Sequence, residues 1–389
     1  MINNKKVLLI FPGNFLRRDM GCANGAYIPV QMIKMMGFSI DLFSTNSDDD
    51  FSDFEMYNNE NLIDKLYLVN IEKSGFLGKV KKKLKKIFGI PRVYYSNSSV
   101  SDKILNEFQK VIKSTRYNYI YVHYINWSDF FRYSDIPSYT KLVFNMHDTD
   151  FIQHFFNWGM RGIGKKLEDE LEALKYYHSF ICNSHDEMMF WLKFFPDKKF
   201  YFFPPVNRLK ELPNNSKTID VLYIGAYNPH NITAAHWFLD EVCPFLPKNI
   251  SIVFCGKFLS GLQSEYLEKI KDRNISTVNF AEKIESLYEK TKIVVVPLLG
   301  GTGIKIKTLE AITYSIPVVT TVFGVDGFPD KYENGCLVTD DPGEFAANIT
   351  RLLEDNNFYD SVIEKQKNYY MKYLSFERNL NIIKEIFGD

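Results

Sequence analysis

The stretch Ile293-Val-Val-Val-Pro-Leu-Leu-Gly300-Gly-Thr-Gly-Ile-Lys305-Ile-Lys-Thr-Leu-Glu310 decides how this chain folds. Ile293 to Leu299 is an unbroken apolar run, which reads as a strand buried on both faces, as in a parallel sheet. Glycines follow at Gly300, Gly301 and Gly303, then a helical pattern, then a second apolar run at Ile316-Pro-Val-Val319. A glycine-rich turn between strand and helix aims free backbone N–H groups, and the positive end of the helix dipole, at one point. Helix starts normally favour Asp or Glu, yet this one carries Lys305 and Lys307. Each misplaced cation costs on the order of 0.3–1 kcal/mol unless something anionic answers it, and a bound phosphate or diphosphate is the simplest answer. Glu310 falls on the same face as Lys307 at i,i+3 spacing, where a carboxylate suits the two hydroxyls of a ribose diol.

Working outward, apolar runs alternate with helical patterns along the whole chain, which predicts parallel sheets covered by helices. The runs in the first half are Val7–Phe11, Phe38–Phe43, Leu66–Asn70, Tyr119–His123, Leu142–Met146, Phe180–Asn183 and Phe200–Phe203. Phe203-Pro-Pro-Val-Asn207 breaks the pattern, and a polar stretch follows it. A second series then begins: Asp220–Ile224, Ser251–Cys255, Thr277–Phe280, Ile293–Val296, Pro317–Thr321 and Cys336–Thr339. With 389 residues the chain suits two domains, each with its own core. Ligands of such sheets sit at the carboxyl ends of strands, where the glycine turn falls.

These residues resemble the donor-site motif of retaining GT4-like (glycosyl transferases group 1) enzymes of the GT-B fold. Their pattern, Gly-x-Gly-x-(Arg/Lys)-x-Lys-x-Leu-Glu-Ala followed by Pro-Val-Val-Thr, is met at Gly301, Gly303, Lys305, Lys307, Leu309, Glu310, Ala311 and Pro317 to Thr320. Gly324 and Gly327 match the Gly-x-x-Gly turn that usually follows, and Val221 to Ile232 is similar to the opening strand and turn of the family's second domain. One departure is Thr302, where many relatives carry a second glutamate.

The resemblance implies an α/β fold of two doubly wound Rossmann-like domains facing each other across a cleft. Residues 1–205 would form an acceptor-side domain, 206–375 the nucleotide-sugar donor domain, and 376–389 a helix crossing back to the first. It implies retention and a role in surface polysaccharide or glycoconjugate synthesis. Gly225, Asn231, Gly301, Thr302, Gly303, Lys305, Lys307 and Glu310 would meet the donor, and Gly13, Arg17, Arg18 and His123 would lie on the acceptor side. His147, at the end of the fifth strand, would contact the donor sugar or the acceptor hydroxyl, with Asp148 orienting or pairing it, because neutral imidazole donates and accepts near pH 7. The partners implied are a nucleotide-diphosphate sugar and a glycan or lipid-linked acceptor.

A departing diphosphate needs charge stabilisation, from a divalent ion or from helix N-termini and cationic side chains. The cationic turn predicts the second, so no metal and no cofactor are expected. Asp148-Thr-Asp150 is a literal Asp-x-Asp, but three-residue matches arise easily by chance. Other readings stay open: a nucleotide-sugar epimerase or a phosphorylase on the same scaffold, or a non-catalytic sugar-nucleotide-binding scaffold.

Lys plus Arg equals Asp plus Glu at 47 each, so no global field selects nucleic acid. Five cysteines lie scattered without metal-ligand or disulfide spacing, and the start reads as a strand rather than a leader. A cytoplasmic protein, peripheral on the inner face of the membrane, is the expectation. Residues 76–90 hold six lysines between positions 79 and 86, interleaved with Val80, Leu84, Ile87 and Phe88 at helical spacing. Such a basic amphipathic helix would suit an anionic membrane surface or simply a solvated face.

Overall fold

The computed structural model describes residues 5–17, 21–46, 51–70, 95, 98–206, 208–210, 217–273, 275–281 and 284–388. Arg18 and the basic segment 76–90 lie outside the described residues.

The chain forms two compact units. One comprises Met1–Asn183, Met188–Pro205 and Leu380–Asp389, the other Ser184–Glu187 and Val206–Asn379. In the first unit the strands are β1 (Lys6–Ile10), β2 (Ser39–Asn46), β3 (Lys65–Asn70), β4 (Tyr119–His123), β5 (Lys141–Met146), β6 (Ser179–Cys182) and β7 (Lys199–Phe202). In the second they are β8 (Ile219–Ile224), β9 (Ile252–Cys255), β10 (Ile275–Val278), β11 (Thr291–Val296), β12 (Val318–Thr320) and β13 (Leu337–Val338). Every apolar run named above thus supplies a strand. β10 is displaced by two residues and ends at Val278, whose carbonyl accepts from the Gly256 amide at 2.8 Å. Phe280, expected inside that strand, lies beyond it and is 72% exposed.

The first sheet runs β3-β2-β1-β4-β5-β6-β7 and the second β10-β9-β8-β11-β12-β13. All recorded pairings are parallel, with Val7 opposite Tyr119 in one sheet and Val294 opposite Val318 in the other. Helices cover both faces, which is why Val7 to Ile10 and Ile293 to Val296 are wholly buried. In each sheet the order reverses beside its first strand, between β1 and β4 and between β8 and β11. A crevice opens at such a switch point, and each crevice is lined by its own βα loops.

Local chemistry sets the helices. Ser101 caps Asp102–Ser114 by accepting from the Ile104 amide at 3.4 Å, and Ile104, Leu105, Phe108 and Val111 form the buried stripe. Asn228 caps Pro229–Trp237, with proline in the first turn where its missing N–H costs nothing. The last helix, Phe376–Phe387, ends in the first unit. There Phe387 packs on Phe38, Tyr119 and Tyr121 with ring centroids 6.3, 4.9 and 5.8 Å away.

Candidate functional site

In the second unit, the loop after β11 leads into the helix Ile306–Thr313, whose first turn carries no acidic residue and no side-chain cap. Gly301 and Gly303 take φ of 115° and 68°, a region that side chains disfavour, so glycine is required there. The loop is closed from within. Lys305 is buried, and its Nζ donates to the carbonyls of Thr302 at 3.0 Å and Gly303 at 3.1 Å. Part of the predicted anionic answer to Lys305 is therefore supplied by the loop's own carbonyl dipoles.

Lys307 is held from outside its helix. Its Nζ donates to Asn231 Oδ1 at 2.7 Å and lies 4.9 Å from the Tyr223 ring centroid. Among the described residues no carboxylate comes within ion-pair distance of it. Burial brings the ammonium down to about 7, Lys305 adding to the push and Glu310 opposing it. Glu310 accepts from the Tyr288 hydroxyl at 2.9 Å, and burial raises its carboxyl above the ordinary range. Tyr288 is itself fully buried and stacks on Tyr314 with centroids 4.6 Å apart.

Close packing supports these groups. A Cβ on Gly225 would lie 3.0 Å from Asn231 Cγ, and one on Gly324 would lie 1.8 Å from Thr320 Oγ1. Gly327 presses on the glycine loop, since a Cβ there would meet Ile304 Cα at 2.7 Å. The His230 ring lies over the turn, 3.5 Å from where a Gly300 Cβ would stand.

The second unit thus brings Gly225, Asn231, Gly301, Thr302, Gly303, Lys305, Lys307 and Glu310 to the carboxyl ends of β8 and β11. Sequence reasoning missed Tyr223, His230 and Tyr288. The Pro-His-Asn run could have flagged His230, whereas nothing local marks Tyr288.

The first unit gathers another group at its own switch point. His123 Nδ1 lies 2.8 Å from His147 Nε2, and His147 Nδ1 faces Asn183 Nδ2 at 3.4 Å. Tyr124, held at a positive φ of 71°, stacks on His147 with centroids 4.4 Å apart. Gly25 admits the ring, for its Cβ would stand 3.0 Å from His147 Cε1. Burial holds His147 down at about 3 and pushes His123 well below the usual imidazole range, so both rings are neutral at pH 7.

The other first-unit residues are placed differently. Asp148 is exposed while the two His147 ring nitrogens face His123 and Asn183. Asp150 opens the helix Asp150–Trp158 and accepts from Lys166 Nζ at 3.3 Å, so this carboxylate of the Asp-x-Asp triplet is committed to an ion pair. The Gly13 amide donates to Ser44 Oγ at 3.0 Å, fixing the first turn. Arg17 pairs with Asp53 at 3.7 Å and lies 5.9 Å from the Tyr57 ring, an alternative to any acceptor contact. Among the described residues no group of three or more His, Cys, Asp or Glu side chains is arranged to hold a metal, and no helix is long and apolar enough to cross a membrane.

Two switch-point sheets, the second with a cationic glycine turn, define the GT-B class, and the comparisons agree. Residues 218–355 match the family described as glycosyl transferases group 1. The chain has the GT-B fold, and the family match lies within its second unit. Among solved structures it is similar to Alr3699/HepE of Anabaena, in complex with UDP and glucose, at TM-score 0.70 and 12% identity, covering 99% of both chains. It is likewise similar to the sucrose-phosphate synthase of Thermosynechococcus elongatus, at TM-score 0.70 and 14% identity over 98% of both. TarM matches at TM-score 0.70 and 10% identity, over 100% of this chain and 99% of that one. In sequence it is 24% identical over 232 residues to an uncharacterized protein of the cps region of Klebsiella pneumoniae. That match covers 56% of this chain and 57% of the relative, so it spans little more than half of the relative's length.

Proposed function

We propose that this chain is a glycosyltransferase that moves a sugar from a nucleotide-diphosphate donor to a glycan or lipid-linked acceptor in polysaccharide synthesis. The observation that carries this reading is Lys307. It is a partly buried cation beside an uncapped helix start, and it is held by a neutral amide rather than by a carboxylate. Such a place gains most when a diphosphate arrives, because charge–charge attraction is strong where water is scarce. Solved relatives with UDP, and with UDP-glucose, support a nucleotide-sugar donor. A TarM structure with fondaparinux, alpha-GlcNAc-glycerol and UDP supports a glycan acceptor.

The residues then divide the work. Lys305, Lys307 and the loop amides would take the charge that develops on the leaving diphosphate, the role a divalent ion plays elsewhere. Glu310 would accept from donor hydroxyls, and neutral His147 would donate to or accept from the transferred sugar. No side chain is assigned as covalent nucleophile; retention would follow from displacement on the face that the diphosphate leaves. The work would be done at the cytoplasmic side of the membrane, where a lipid-linked acceptor arrives.

A thermal-shift panel of nucleoside diphosphates and their sugars tests the reading. A donor at 100-fold its Kd should stabilise the protein by about 2.7 kcal/mol. With that donor, Glu310→Ala should mainly raise KM and His147→Ala should mainly lower kcat. EDTA should leave turnover intact. Absence of any nucleotide-dependent shift, or loss of activity to chelation, would sink the proposal.

A further inference from the structure

We propose that Asn231 is a positioning residue: it aims the Lys307 ammonium at the incoming diphosphate, and the bare backbone at Gly225 is what admits it. This rests on reading the 300–310 loop as a diphosphate site.

Asn231 is 5% exposed and is held on every side. Its amide N donates to Asn228 Oδ1 at 2.8 Å, and its carbonyl accepts from the Tyr223 hydroxyl at 2.7 Å. In the side chain, Nδ2 donates to the Ala226 carbonyl at 2.9 Å. That bond turns Oδ1 toward Lys307, whose Nζ donates to it at 2.7 Å. A Cβ on Gly225 would crowd Asn231 at 3.0 and 3.2 Å while meeting Phe258 Cδ1 at 3.0 Å, so the amide could not yield sideways.

An amide suits the task better than a carboxylate would. A lysine stem carries roughly 2 kcal/mol of rotamer entropy, which a fixed acceptor removes before the ligand arrives. Asp at this place would hold the ammonium equally well but cancel its charge, and the attraction for phosphate would go with it. One Lys307 N–H is spent on Asn231, leaving the other two for the ligand.

The charged and titratable groups around Lys307 are Lys305 just before its helix, Glu310 within it, Tyr223 on β8, Tyr288 behind Glu310, and His230 next to Asn231 over the glycine turn. Because Lys307 gives up its proton near neutrality, affinity for a diphosphate should weaken as pH rises through that range.

The experiment compares the wild type with Asn231→Asp, Asn231→Leu and Lys307→Met. The Lys307 resonance is followed by 13Cε-lysine NMR in the free protein, with Lys307→Met providing its assignment. Binding of UDP and of pyrophosphate is measured by calorimetry. Asn231→Asp should raise the Lys307 titration midpoint by at least about one pH unit, whereas Asn231→Leu should not raise it. Both variants should bind each probe at least about tenfold more weakly, the loss of one charge-assisted contact. Thermal unfolding checks that they fold, and near-isosteric Asn231→Asp carries the test if Asn231→Leu does not.

The inference is overturned if the Lys307 midpoint ignores Asn231→Asp. It is also overturned if probe affinity survives both Asn231 changes while Lys307→Met abolishes it. Failure of the site reading looks different: Lys307→Met would then bind both probes as the wild type does.

Discussion

His123 and His147, at the ends of neighbouring strands β4 and β5, share a hydrogen bond of 2.8 Å inside the first unit. His123 Nε2 is buried and has no hydrogen-bond partner among the described residues. An orphaned lone pair is tolerated better than an orphaned N–H. The pair is therefore best served with His123 protonated on Nδ1 and donating to His147, which leaves the His147 proton on Nδ1 and calls for the Asn183 amide to turn its Oδ1, rather than Nδ2, toward that nitrogen. His123 then sets the tautomer with which His147 meets its surroundings.

That pair makes stability depend on pH. An unfolded imidazole takes up a proton below about pH 6.5, but His147 in the folded chain resists protonation down to about 3. Its stabilising effect is complete above pH 6.5 and declines as pH falls toward 3. By pH 5 the loss is on the order of 2 kcal/mol. Thermal unfolding at pH 7.5 and pH 5 should show a smaller drop in Tm for His147→Gln than for the wild type. Equal drops would place the acid sensitivity elsewhere.

Tyr288→Phe removes the hydroxyl that fixes Glu310 and leaves the ring in place. The expected cost is about 1 kcal/mol of stability, with a several-fold rise in donor KM and little change in kcat. Steady-state kinetics and urea unfolding measure the two effects. A fall in kcat alone would mean that Glu310 acts on the transition state rather than on donor binding.

Lys305 and Lys307 should separate under mutation. Lys305→Met removes the bonds to the Thr302 and Gly303 carbonyls, so both loop stability and donor affinity should fall. Lys307→Met should leave Tm nearly unchanged, because losing a partly buried cation relieves desolvation, while donor affinity falls about tenfold or more. Differential scanning fluorimetry with and without UDP distinguishes the two. Equal Tm losses would refute the division.

Gly324→Ala places a methyl 1.8 Å from Thr320 Oγ1 and 2.9 Å from the Val296 carbonyl, which are hydrogen-bonded to each other at 2.8 Å. Overpacking of this kind costs about 1–3 kcal/mol or more. Urea titration should show a lower midpoint at unchanged slope. A neutral outcome would mean that the turn shifts freely.

The amino-acid sequence alone determined the thirteen strands, because each is a short apolar run whose burial demands a parallel sheet. It also determined the glycine turn at Gly301 and Gly303, since only that chemistry permits a tight passage from β11 into a helix carrying Lys305 and Lys307. What it left undetermined was the environment of individual side chains. The resting partners of the two lysines are one case: Lys305 folds back on its own loop and Lys307 finds an amide 76 positions away in the chain. Another is His147, whose ring nitrogens face His123 and Asn183, contributed by the neighbouring strand β4 and the loop after β6. Tyr288 under Glu310 left no local trace at all. Strand formation is written in nearest neighbours, whereas the aim and charge state of a side chain depend on what the fold packs beside it, and that is settled only when distant segments meet.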